Sequence, residues 1–186
     1  MKPSFLIAVL FAACAAQTQT LRAVPVHFGG TGQTIENVEF LCTQDYNRHE
    51  CLQHALELRR VLMTYPLERL GMWSFVLVPS YKWKDLVRAV GGSTDSPAFT
   101  IFEQRTTVME SSLFSATATR SAEFLQVFGV TGGALLKFVV NHELGHSVCH
   151  DPDERKADDY GRELRKGEIP DCARTSKRKT ERSFNP

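Results

Sequence analysis

The stretch Ala134-Leu135-Leu136-Lys137-Phe138-Val139-Val140-Asn141-His142-Glu143-Leu144-Gly145-His146-Ser147-Val148 decides how the chain is read. Its apolar residues run almost unbroken into a pair of histidines. The run is too long for an ordinary strand and predicts a strongly apolar helix. Thr131 stands where an N-cap belongs, and Asp151-Pro152 ends the helix. On it, His142 and His146 lie one turn apart on one face, about 6 Å along the axis. Two imidazoles so placed can converge on one divalent ion. Glu143 is rotated from His142 by about 100°, so it does not ligate alongside them. It is placed instead to reach water at such an ion, where a general base is needed. An apolar helix does not normally bury two histidines and a glutamate without partners for them.

A catalytic ion takes three protein ligands and leaves a position open. His150 lies too far along a straight helix, about 12 Å from His142. A free Cys149 thiolate is unexpected in an exported chain. The segment beyond the turn offers better groups. Asp153 to Lys166 predicts a last helix, closed by Gly167, with Glu154 and Asp158 at i and i+4 on one face. Glu154 is the expected third ligand. Asp158 is expected to accept a ligand histidine's N–H and fix its tautomer. The exchange of these two roles, with Asp158 on the metal, stays open. Tyr160 is expected to pack rather than to stabilise an oxyanion. His27, His49 and His54 lack metal-ligand spacing and are expected at the surface or as caps.

His142-Glu143-Leu144-Gly145-His146 followed by Glu154 and Asp158 resembles the gluzincin-type zinc metallopeptidases, in which Glu-x-x-x-Asp follows His-Glu-x-x-His. The resemblance covers His142 to Gly161. The metzincin pattern does not fit, because Pro152 stands at the third histidine position and Cys149 at the expected glycine. The gluzincin resemblance implies Zn2+ held by His142, His146 and Glu154, with Glu143 as general base and Asp158 supporting a ligand histidine. It further implies a zincin-like fold and hydrolysis of a peptide or protein substrate. In such folds a sheet-edge strand holds the substrate, and Thr106 to Glu110 or Ala98 to Gln104 would serve. The alternative function is a secreted zinc-binding module with a structural or degenerate site and no hydrolysis.

Residues 1–16 read as an export signal, with Lys2 ahead of the apolar run Phe5 to Ala13 and small residues at Ala15-Ala16. A lipid anchor at Cys14 is the lesser reading, since Phe11 replaces the leucine usual in a lipobox. The expected location is secreted or periplasmic. Beyond Cys14 four cysteines remain, which favours two disulfides. Local pairing gives Cys42–Cys51 and Cys149–Cys172.

Elsewhere, Val24 to Phe28 reads as a leader or edge strand, Cys51 to Thr64 as a helix and Trp73 to Val78 as a buried strand. Tyr81 to Val90 reads as a short helix. Ala98 to Gln104 and Thr106 to Glu110 read as strands, with Leu113-Phe114 a candidate extension of the second, and Arg120 to Phe128 as a helix. The expected fold class is α+β: a single domain over residues 17–172, with a small mixed sheet, an active-site helix and a C-terminal helix. Residues 173–186 read as a basic disordered tail. The chain has 186 residues and a formal net charge of +1. That balance gives no footing for nucleic-acid binding, and no segment past the signal reaches membrane-spanning length.

Overall fold

Three parallel strands form the centre of the fold, where helices cover both faces of the sheet. In the computed structural model, which describes residues 8–9, 21–28, 35–67, 70–115 and 120–173, these are β3 (Val38–Thr43), β4 (Trp73–Val78) and β6 (Thr106–Glu110). β2 (Leu21–Pro25) flanks β3 and β5 (Ala98–Ile101) flanks β6, each antiparallel to its neighbour. The two residues of β1 (Ala8–Val9) add a short pairing outside β2. The order is β1-β2-β3-β4-β6-β5. Apart from Ala8–Val9, the expected export signal with Cys14 lies outside the described residues, as does the basic tail from Arg174.

Register aligns side chains in rows across the sheet. Phe40 pairs with Phe75, Phe75 with Thr107, and Thr107 with Thr100. One face packs on α1 (Arg48–Leu62) and α4 (Gly132–Cys149) through Phe40, Phe75, Leu77, Met109, Leu58, Leu62, Leu136 and Leu144. The other face carries α2 (Ser80–Ala89), whose Trp83, Leu86 and Val87 meet Leu41, Val76, Val78 and Val108. Each such fully buried side chain contributes roughly 1.5–3 kcal/mol of transfer free energy. α3 (Ser121–Phe128) ends at Gly129, whose φ of 71° needs the left-handed freedom of glycine. α5 (Glu154–Arg165) starts at Asp153, which caps the N–H groups of Arg155 and Lys156.

The mixed α/β single domain agrees with the expected class, while several details differ. β3 had no counterpart among the expected strands. α1 starts near Arg48 rather than Cys51, because the Asn47 side chain accepts from the N–H groups of His49 and Glu50. The strand expected over Ala98 to Gln104 stops at Ile101. Phe102–Gln104 form a 3-10 turn, and Arg105 closes it with φ 48°. Leu113 and Phe114 do not extend β6 but belong to a second 3-10 turn, Ser111–Phe114. Thr131 holds the N-cap position of α4 without a side-chain cap bond.

Cys42–Cys51 and Cys149–Cys172 lie at disulfide distance, with Cα separations of 6.4 and 5.1 Å, as expected. Two such pairs suit an oxidising environment. Among the described residues no single helix is long and apolar enough to cross a membrane.

Candidate metal centre

The centre depends on how closely α5 approaches α4. Gly145 and Gly161 have no side chain, and each lets the opposing backbone into that space. A Cβ on Gly145 would overlap the Ala157 carbonyl, and one on Gly161 would overlap the Asn141 carbonyl. With the helices this close, the acidic face of α5 lies against the histidine face of α4.

His142 is held on both ring nitrogens. Its Nδ1 is 2.8 Å from Asp158 Oδ1 and its Nε2 is 2.9 Å from Glu154 Oε2. His146 Nδ1 lies 2.6 Å from the Asp151 carbonyl oxygen, which can only accept, so Nδ1 carries the proton. In the neutral ring Nε2 is then a bare lone pair. It sits 3.1 Å from His142 Nε2 and 3.5 Å from Glu154 Oε2. Three ligand atoms therefore face a common point, at separations of 2.9, 3.1 and 3.5 Å. A tetrahedral ion with bonds of about 2.0–2.1 Å keeps its ligand atoms roughly 3.3 Å apart. His142, His146 and Glu154 can thus hold a metal ion, and this is the fit that the donor chemistry demands. Without an ion, the same charge field acts on His142. Burial alone would lower its pKa, but the Asp158 hydrogen bond and the Glu143, Asp158 and Glu154 carboxylates outweigh it and raise it.

Glu143 is only 5% exposed. Burial pushes its carboxyl above the usual range, against the pull of a 2.7 Å hydrogen bond from Thr100 Oγ1 and of the two imidazoles. Glu143, His142, Glu154 and Asp158 border a cleft of about 360 Å3, whose other walls include Pro97 and the apolar Phe128 and Phe138. No family model, curated protein or solved structure matches this chain. The chemistry of the site therefore rests on its own geometry.

The structure brings together all five expected site residues, His142, Glu143, His146, Glu154 and Asp158. Glu154 faces Nε2 of both rings, whereas Asp158 sits on the far nitrogen of His142. His150 points elsewhere, capping α4 with φ 50° and meeting Trp73 edge-on at 5.6 Å. Tyr160 is 1% exposed and packs inside. His27 and His49 are exposed. His54 departs from the surface expectation. It is half-buried, stacked on Phe114 at 4.7 Å, with Nδ1 2.6 Å from the Tyr46 hydroxyl, and burial lowers its pKa. Two contributors had no counterpart among the expected site residues. Thr100 carries the signature of an ordinary strand residue, and the Asp151 carbonyl is a backbone group without side-chain signature.

The edge expectation narrows. β6 lies between β4 and β5, so Thr106–Glu110 cannot take an added strand, and β5 is the outer one. The Pro97 carbonyl accepts from Glu110 N–H, facing β6. Alternation then turns the N–H and C=O of Thr100 outward, away from β6.

Proposed function

We propose that the protein is an exported zinc-dependent peptidase of the gluzincin type, with a zincin-like fold. The observation that carries this is the meeting of His142 Nε2, His146 Nε2 and Glu154 Oε2 beside the buried carboxylate of Glu143. Zinc held by those three residues would polarise a peptide carbonyl and bring the pKa of a water toward about 7. Glu143 takes a proton from water and returns it to the leaving amine. Asp158 and the Asp151 carbonyl keep both imidazoles in the tautomer with Nε2 free. The outward backbone of β5 offers hydrogen bonds to an extended peptide beside Glu143.

The rival reading is a structural or degenerate zinc site. A structural site closes four positions with protein groups, and among the described residues the converging group has three members. That favours the catalytic reading. Glu143→Gln tests it. The variant should keep its metal and lose hydrolysis of a mixed peptide pool by at least about 100-fold. Cleavage at the wild-type rate would remove Glu143 from the chemistry.

A further inference from the structure

Glu143 is the end of a hydrogen-bond chain that crosses the sheet. Trp73 Nε1 on β4 donates to Thr107 Oγ1 on β6 at 3.0 Å. Thr107 Oγ1 lies 3.0 Å from Thr100 Oγ1 on β5, its direct cross-strand partner. Thr100 Oγ1 donates to Glu143 Oε2 at 2.7 Å. With Glu143 ionised, as a general base must be, every direction in this chain is forced from its ends. An indole N–H can only donate, and an ionised carboxylate can only accept. Thr107 therefore receives from Trp73 and gives its proton to Thr100, which gives its own to Glu143. Ser147 Oγ also lies 3.5 Å from Thr107 Oγ1, and Ser147 spends its proton on the Glu143 carbonyl at 2.7 Å. Trp73 is 1% exposed and Thr107 is fully buried, so bulk water does not compete for the bond between them.

We infer that Thr100 is a positioning residue. Its hydroxyl pins Glu143 Oε2, so that the other carboxylate oxygen is the one presented to the cleft, and Thr107 with Trp73 keeps that hydroxyl aimed. A glutamate carboxylate, carried on three side-chain torsions, otherwise samples several orientations. Holding a base in one of them removes that cost from the reaction. This inference rests on the peptidase reading for its catalytic consequence, though the pinned carboxylate itself does not.

The test uses the full chain with 13C-labelled glutamate carboxyls. The resonance missing from Glu143→Gln identifies Glu143. Thr100→Val and Thr100→Ala should shift that resonance, and Thr100→Ser should return it to its wild-type position. With zinc bound and a peptide substrate, Thr100→Val should lower kcat by about 10- to 100-fold with KM and metal content unchanged. Thr100→Ser should restore most of the rate. A carboxyl resonance that stays in place in Thr100→Val overturns the inference, as does a kcat equal to that of the wild type. A wild-type protein that binds zinc and cleaves nothing sinks the peptidase reading instead. The resonance then still decides whether Thr100 holds Glu143.

Discussion

The carbonyl of Ala157 on α5 occupies the space that a Cβ on Gly145 of α4 would need. This contact lies between the two histidines' helix and the helix of Glu154 and Asp158, so backbone packing sets how closely Glu154 approaches the two imidazoles. Asn141 and Gly161 repeat the arrangement toward the other end of the crossing. Neither glycine has a positive φ. Their role is to let two backbones touch.

Gly145→Ala should therefore act on stability and on metal affinity together. Overpacking against backbone costs about 1–3 kcal/mol. Moving α5 outward withdraws Glu154 from both imidazoles. Urea unfolding and chelator competition for zinc check the two effects. Unchanged zinc affinity in a folded Gly145→Ala protein would mean that α5 does not supply a ligand.

Much of this centre was legible in the sequence, because its parts are local. A helix places i and i+4 side chains on one face whatever the fold, so the pairing of His142 with His146, and of Glu154 with Asp158, follows from spacing alone. The choice between Glu154 and Asp158 does not. It depends on which turn of α5 faces the histidines, and Gly145 and Gly161 settle that. Thr100 was hidden for a related reason: strand order, not sequence, brings β5 beside α4. β3 was hidden because it is covered on both faces. Val38-Glu39-Phe40-Leu41-Cys42-Thr43 shows no clean alternation of apolar and polar residues.

Glu154→Ala and Asp158→Ala should separate. Glu154 touches both Nε2 atoms, so its loss should abolish stoichiometric zinc. Asp158 touches only Nδ1 of His142, so its loss should weaken zinc by about 10- to 100-fold while leaving the ligands in place. Metal analysis after gel filtration would distinguish them, and zinc lost only in Asp158→Ala would exchange the two assignments.

The metal-free protein has a titration signature. Burial works against protonation of His142, but the Asp158 hydrogen bond and the surrounding carboxylates raise its pKa above the ordinary histidine value of 6.5. A raised folded-state value means that this group stabilises the fold fully below the unfolded pKa. That contribution is lost as pH rises through the folded pKa. Zinc needs the neutral ring, so zinc affinity should fall as pH drops through the same range. An NMR titration of the His142 ring should give a midpoint above 6.5 in the wild type and a lower one in Asp158→Asn. Equal midpoints would contradict the role given to Asp158.

Reduction should matter most at the C-terminal link. Cys149–Cys172 joins residues 23 apart, from the end of α4 to the segment past α5. In the chain-entropy model a loop of that size contributes about 3 kcal/mol. Urea unfolding of a Cys149→Ser, Cys172→Ser double variant should show a loss near that size, and no loss would argue against the bond.

The grip of His142, His146 and Glu154 on one metal ion is tested most directly by the metal content of the purified full chain and of His146→Ala, measured by mass spectrometry after removal of free metal. The expected result is about one zinc per wild-type chain, from one four-coordinate site, and essentially none in a folded His146→Ala. A wild-type chain that takes up no divalent metal, or a His146→Ala chain that holds it as tightly, would contradict the assignment.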